Sequence, residues 1–165
     1  MTPSSRLVAG GRALGGDALG QAIGSRLDLA VKGCFIERLP HFADIRGNLV
    51  PLQAGSGVPF APVRIFLVYG VPADGIRGEH AHRECEQFLI AAHGALSVSI
   101  DDGAARAEIR LEDPTVGLYL PPMTWGTQYD FGPDGVLLVA ASHRYDADDY
   151  IRDYDLFVSE LAACG

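Results

Sequence analysis

The sequence predicts an all-β fold, and two observations carry that reading. The chain holds 20 glycines and 10 prolines in 165 residues, and they fall between short apolar runs, the pattern of short strands joined by tight turns. Those runs recur every ~8 to 12 residues, the spacing of a sandwich or small barrel. At about 100 to 200 residues per domain the length allows one domain, and 48 % hydrophobic residues can build one core. A helical bundle is excluded by the same punctuation, and disorder is not the expected main state.

Residues 1–30 hold six glycines in a Ser/Ala/Gly-rich stretch of weak periodicity. They read as a Gly-rich N-terminal extension, loosely attached and without visible chemistry, and the single domain is expected over 31–165. Cys34 to Leu39 reads as the first strand of that domain, and Asp44-Ile45-Arg46-Gly47-Asn48 as a turn into Leu49 to Leu52. After a Gly/Pro loop, Val63 to Tyr69 is a continuous apolar run of the kind that forms a buried strand. Gln87 to Ala91 follows, then Ala95 to Ile100 with Leu96, Val98 and Ile100 alternating, and Asp101-Asp102-Gly103 is a hairpin signal. Val116 to Leu120, Gly126 to Phe131 and Val136 to Ala141 complete the strands. In the last segment Ile151, Tyr154, Val158 and Leu161 recur at spacings of three and four, which predicts one C-terminal helix. Asp148 or Asp149 is its expected N-cap, and the acids there suit the helix dipole without any functional role.

The charge balance limits the partners. With 21 acidic against 13 basic residues the net charge is −8, so nucleic acid is a poor partner. Lys32 is the only lysine, so an anion site would be built from arginine, whose planar fork suits phosphate and carboxylate. Cys34, Cys85 and Cys164 show no CxxC spacing, which suggests neither a disulfide framework nor a structural zinc site. No stretch approaches the ~18 apolar residues of a membrane span, and no apolar leader region is visible. The expectation is a cytoplasmic protein with no membrane partner.

The chemistry concentrates in Arg77-Gly78-Glu79-His80-Ala81-His82, where the i, i+2 spacing points both imidazoles to one face of a strand. With Glu86, Gln87 and Gly94 the stretch resembles the first motif of the cupin family, whose metal-binding members add a Glu and a later His. Counting back six intervening residues from Gly94, the spacing of that family, puts Gln87 in the ligand position and turns Glu86 to the opposite face. The place of the later histidine reads Met123-Thr124-Trp125-Gly126-Thr127-Gln128. Two imidazoles and a Gln fall short of the three ligands a catalytic metal site uses, so no metal and no other cofactor is expected. Without a metal, paired imidazoles near their ordinary pKa of ~6.5 are suited to moving protons.

Five separated motifs carry a closer resemblance. Asp44-Ile45-Arg46-Gly47-Asn48-Leu49, Pro59-Phe60 with Arg64, Arg77-Gly78-x-His80-Ala81-His82 with Gln87, Gly117-Leu118-Tyr119 through Pro122 and Trp125, and the tail Tyr145-Asp146-x-x-Asp149-Tyr150-Ile151-Arg152-Asp153-Tyr154 resemble the sugar 3,4-ketoisomerases that act on dTDP-4-keto-6-deoxyglucose. The resemblance runs from about Phe35 to Phe157. It implies a cupin barrel (a double-stranded β-helix, or jelly roll), a homodimer with exchanged N-terminal strands, and metal-free acid/base isomerisation of a nucleotide-linked 4-keto-6-deoxy sugar through an enediol. It further implies that His82 takes or returns the carbon-bound proton, that His80 shuttles protons between oxygens, and that Arg77 orients the substrate or stabilises the enediolate. Which histidine plays which part is left open.

Arg46 and Arg64 are the expected cations for the diphosphate; Arg64 lies in an apolar run, where an unpaired charge is costly and a partner anion is expected. Tyr119 and Trp125 are candidates to wall the sugar or stack on the base, and Gln87 to hydrogen-bond a sugar hydroxyl. The sequence departs from the family pattern twice: Ile65-Phe66-Leu67 follows Arg64 where tyrosines are usual, and Gly126 follows Trp125 where histidine is usual. Those departures keep a non-catalytic nucleotide-sugar-binding cupin alongside the isomerase, and the His80/His82 pair keeps a metal-dependent cupin enzyme as a further reading. His41, His93 and His143 lack motif context and read as structural or solvent-facing.

Overall fold

The structure is a computed structural model and describes residues 6–9, 12–15, 19 and 22–164. In chain order the strands are β1 (Arg6–Ala9), β2 (Arg12–Gly15), β3 (Arg26–Asp28), β4 (Phe35–Arg38), β5 (Phe42–Asp44), β6 (Gly47–Leu49), β7 (Gln53–Ala54) and β8 (Gly57–Val58). They continue with β9 (Arg64–Tyr69), β10 (Arg77–His82), β11 (Gln87–His93), β12 (Leu96–Asp101), β13 (Arg106–Leu111), β14 (Val116–Leu120), β15 (Trp125–Tyr129), β16 (Val136–Ala141) and β17 (Tyr150–Ile151). The helix α1 spans Tyr154–Cys164.

Two sheets face one another. One has the order β17-β10-β15-β12-β13-β1-β2, the other β3-β4-β14-β11-β16-β9. The period-2 alternation of strand side chains puts Leu96, Val98 and Ile100 of β12 and Ala107, Ile109 and Leu111 of β13 in the space between the sheets. There they meet Leu89, Ala91, Leu118, Leu120, Leu137 and Val139 of the other sheet. A second apolar cluster of Leu39, Val58, Phe88, Ile90 and Ala140 covers the outside of that other sheet. A third, Ala81, Ile151 and Phe157, lies under α1. Mainly β architecture with one terminal helix is what the turn density predicted, and this is the cupin arrangement. Among the described residues no helix is long and apolar enough to cross a membrane.

Three features differ from the sequence reading. The stretch 1–30 is not a loose extension where it is described: β1 pairs with β13 of its own chain and with β2, β3 pairs with β4, and Leu19 is buried. Glycine density hid these strands because they are only three or four residues long. Strand β13 went unread because Arg106, Glu108 and Arg110 break its apolar density; they take its outer face.

The helix begins at Tyr154, with Asp153 as cap: its Oδ1 accepts the Leu156 N–H at 2.8 Å and its carbonyl the Phe157 N–H at 3.0 Å. Ile151 belongs to β17, which pairs with the edge of β10, and Val158 is 41 % exposed while Phe157 is fully buried. The expected caps, Asp148 or Asp149, both lie in a 3-10 turn over Ala147–Asp149, before the helix begins.

Candidate active site

Strand β10 enters the barrel through a bulge. Gly78 has φ +80° and Glu79 φ +55°, and the pairing with β15 slips between Gly78 and His80. Two successive left-handed residues bend the strand so that His80 lies opposite Gly126, and His82 then pairs with Tyr150 on β17. A side chain at position 78 has no room: a Cβ there would stand 2.7 Å from the Gly126 carbonyl oxygen and 2.8 Å from Gln128 Oε1. Gly78→Ala is therefore expected to cost at least about 1–2 kcal/mol from the left-handed backbone alone. It also displaces His80, so chemical denaturation and turnover should fall together.

The two imidazoles stand edge to face, with centroids 4.9 Å apart. His82 is 5 % exposed. Its Nδ1–H donates to Asp149 Oδ2 at 2.7 Å, and its Nε2 accepts from the Gln87 amide at 3.2 Å. The acceptor-only carboxylate assigns the tautomer: the proton sits on Nδ1 and the lone pair on Nε2. Asp149 is itself held in place, because the Glu84 N–H donates to its Oδ1 at 2.7 Å and the Arg83 N–H to its carbonyl at 2.9 Å. Burial raises the Asp149 pKa, but the Glu84 and His82 bonds outweigh it and keep the carboxylate below its ordinary range.

Burial pushes the His82 pKa down to about 4; Asp149 opposes that fall, while His80 and the Arg64 guanidinium add to it. The His80 pKa is lowered too, chiefly by burial, then by the charges of Arg152 and Arg64 against the opposing Gly78 carbonyl. That carbonyl lies outside hydrogen-bond geometry, for His80 Nδ1 is buried without a partner. Both imidazoles are thus neutral at pH 7 and stand in the positive field of two arginines, an environment that favours an anion forming between them.

Arg64 reaches the pair from the opposite sheet. It pairs with Ala141, which pairs with Gln87, so the three form one row across β9, β16 and β11. The Arg64 Nη2 donates to the Tyr150 hydroxyl at 3.3 Å, its Nε is buried without a partner, and among the described residues it forms no ion pair. The partner anion expected from sequence is not supplied by the described chain. Tyr150 is the hub of the cluster, its ring 4.8 Å from His80, 4.3 Å from His82 and 4.3 Å from the Arg152 guanidinium. In the run after Arg64 where the family pattern has tyrosines, Phe66 packs against the interior cluster beside Arg64 while Ile65 and Leu67 face outward. Tyr150 brings a phenol to Arg64 from the other sheet.

Of the residues singled out in the sequence, the structure brings together His80, His82, Gln87 and Arg64. Four others lie elsewhere. Tyr119 shares the outer face of its sheet with Phe88, stacks on Phe35 at 4.7 Å and donates to Glu86 Oε1 at 2.6 Å; the sheet separates it from Gln87 because adjacent strand residues point to opposite faces. Trp125 packs under α1 against Tyr154 and Phe157, at 5.2 and 5.6 Å. Arg46 stands on the exposed turn between β5 and β6, paired with Asp44. Arg77 is exposed at the start of β10, where it lines a surface depression with Leu67, Tyr69, Pro72 and Ile76 and has no hydrogen bond to either histidine.

Asp149, Tyr150 and Arg152 were missed as functional groups. Their signal was the shared tail motif; the helical spacing around them pointed to a cap and a helix face instead. Among the described residues, the positions beside the pair hold Gln87 where a carboxylate ligand would sit and Gly126 opposite His80, a donor set unlike the three ligands of a catalytic metal site.

A β barrel whose mouth holds two neutral imidazoles, a carboxylate behind one of them and an arginine without an ion pair among the described residues defines a cupin acid/base enzyme. The FdtA family model, described as WxcM-like, C-terminal, matches residues 32–162, and the chain belongs to the cupin-fold sugar 3,4-ketoisomerase family. It is 40 % identical over 119 residues to the TDP-4-oxo-6-deoxy-alpha-D-glucose-3,4-oxoisomerase of Aneurinibacillus thermoaerophilus, covering 72 % of this chain and 86 % of that one. Among solved structures, a His-to-Asn mutant of the 3,4-ketoisomerase QdtA from Thermoanaerobacterium thermosaccharolyticum, in complex with TDP-4-keto-6-deoxyglucose, superposes with TM-score 0.78. That match has 33 % identity over 81 % of this chain and 96 % of the other. The TDP-quinovose 3,4-ketoisomerase WlaRB of Campylobacter jejuni gives 0.75 at 36 % identity, covering 78 % and 99 %.

Proposed function

We propose that this protein isomerises a nucleotide-linked 4-keto-6-deoxy sugar, with dTDP-4-keto-6-deoxyglucose as the first substrate to test, to its 3-keto isomer by acid/base chemistry through an enediol. The observation that carries the reading is His82, whose Nδ1–H is committed to Asp149 and whose Nε2 lone pair faces the barrel interior. Moving the carbonyl from C4 to C3 takes a proton from C3, places one on the C4 oxygen, removes one from the C3 oxygen and returns one to C4. His82 Nε2 takes and returns the carbon-bound proton; Asp149 stabilises the imidazolium that forms, as a carboxylate does behind a catalytic histidine. His80, edge-on to His82, carries the proton between the two oxygens. The Tyr150 hydroxyl and the Arg64 guanidinium hydrogen-bond the enediolate oxygens, where a fixed cation in a water-poor site is worth most. Gln87 gives up its bond to Nε2 and orients a sugar hydroxyl.

Incubation with that substrate in deuterated water, followed by NMR of the sugar, tests the assignment. A 3-keto product with deuterium at C4 is expected, and an unchanged spectrum would sink the assignment for this substrate.

The protein acts as a homodimer. Ile65, Leu67 and Tyr69 on the outer face of β9, an edge strand, and Val63 just before it are 53–71 % exposed, and Phe42 and Leu49 of the β5–β6 hairpin are exposed as well. Large apolar side chains grouped on one sheet edge are covered in stable proteins, and a second copy is the partner of matching chemistry. Light scattering is expected to give twice the chain mass, with Leu67→Glu shifting it toward the monomer.

A further inference from the structure

We propose that His82 Nδ1, Cys85 Sγ and Asp149 Oδ2 form a binding site for a thiophilic divalent cation, Zn2+ in the first instance, and that filling it switches the enzyme off. One ligand atom from each of His82, Cys85 and Asp149 lies within 4.8 Å of the other two, and His82 Nδ1 stands 2.7 Å from Asp149 Oδ2. Metal–ligand distances of about 2.0 Å to N or O and 2.3 Å to S place the ligands of one tetrahedral ion roughly 3–4 Å apart, so closing on the ion takes shifts on the order of 1 Å. The set combines imidazole, thiolate and carboxylate, which suits zinc and excludes magnesium and calcium as good occupants.

Neighbouring groups fix the positions of all three side chains. The loop after β10 wraps Asp149, the Glu84 N–H on Oδ1 leaving Oδ2 to point at His82. Cys85 is 2 % exposed; its Sγ–H donates to the Glu86 carbonyl at 3.3 Å, a bond the thiolate gives up on binding the ion, its Sγ accepts from the Ser142 hydroxyl at 3.9 Å, and no step of the proposed reaction uses it. The other nitrogen of His82 meets the Gln87 side chain, the outer hydrogen bond that ligating histidines generally have. Residues 143–148 are exposed beside the site, so a water can complete the coordination.

The proton balance says why the ion inhibits. Before binding, His82 carries its proton on Nδ1 and Cys85 on Sγ. A metal on Nδ1 moves the imidazole proton to Nε2, where it donates to the Gln87 amide oxygen, and the thiol releases its proton to solvent. One proton is released per ion, and the Nε2 lone pair that abstracts the sugar proton is gone.

Only the inhibition rests on the proposed reaction, and the test separates the two. The full chain is titrated with Co2+, then Zn2+ is titrated against it, for the wild type, Cys85→Ser and Cys85→Ala, with circular dichroism to confirm folding. One Co2+ per chain with a thiolate-to-cobalt absorption band in the near ultraviolet is expected. Both variants should lose the band and at least about tenfold in zinc affinity. In turnover assays Zn2+ should inhibit the wild type, a chelator should restore it, and the variants, unimpaired without zinc, should need at least about ten times more. A missing thiolate band, or equal zinc sensitivity in wild type and variants, overturns the site. If no turnover is found at all, the isomerase assignment has failed while the cobalt band still decides the metal site.

Discussion

Asp149→Asn is expected to lower kcat by about 10^2- to 10^4-fold, the range for disabling a positioned general base, with little change in KM. The reason is a tautomer. The Glu84 N–H requires an oxygen at the position of Oδ1, so the new amide turns its NH2 toward His82 Nδ1, where the carboxylate used to accept. Nδ1 then becomes the acceptor and the proton moves to Nε2, which removes the lone pair facing the substrate. His82→Asn, which removes the base itself, is expected to abolish turnover and deuterium incorporation at C4. Nitrogen NMR of the His82 ring distinguishes this account from simple misfolding: the proton should be on Nδ1 in the wild type and on Nε2 in Asp149→Asn. Unchanged kcat in Asp149→Asn would refute the dyad.

Acid should destabilise the protein in a window set by His82. In the unfolded chain this histidine titrates near 6.5, and in the folded protein burial holds it near 4. Between those values the unfolded state binds a proton that the folded state refuses, so stability rises with pH across the window and falls as pH drops from 6.5 toward 4. The difference amounts to about 3 kcal/mol, and His80, shifted the same way, adds to it. Asp149, held low, stays ionised throughout and contributes its own loss only below its ordinary 3.8. Chemical denaturation at steps from pH 7.5 to 4.5 measures the slope, which His82→Gln should flatten. For the same reason kcat/KM should show no break near 6.5. A stability curve flat through the window would show that His82 is not held neutral by the fold.

Much of this site was readable along the chain, because its signals are local. The i, i+2 histidines, the six-residue spacing from Gln87 to Gly94 and the alternation of Glu86 and Gln87 all depend on one strand's geometry. The structure puts Gln87 on His82 and Glu86 on Tyr119 at the opposite face. What misled was also local. The acids before the helix have the look of a cap, and only the return of β17 to the edge of β10 gives Asp149 and Tyr150 another use. Tyr119 and Trp125 are aromatics in the right motifs, but strand alternation turns them outward and no spacing along the chain reveals which side the second sheet covers. Arg46 and Arg77 suffer the same ambiguity, since a basic residue in a turn is equally at home facing solvent.

The sequence by itself determined the barrel, the pair of imidazoles and the place of Gln87 beside them, because strand period and residue type are enough for those. Only the tertiary structure decided the state of the pair. A histidine's tautomer and pKa depend on what lies within a few ångströms, and for His82 that is a carboxylate 67 positions away in the chain, with an arginine from the opposite sheet close enough to depress its pKa.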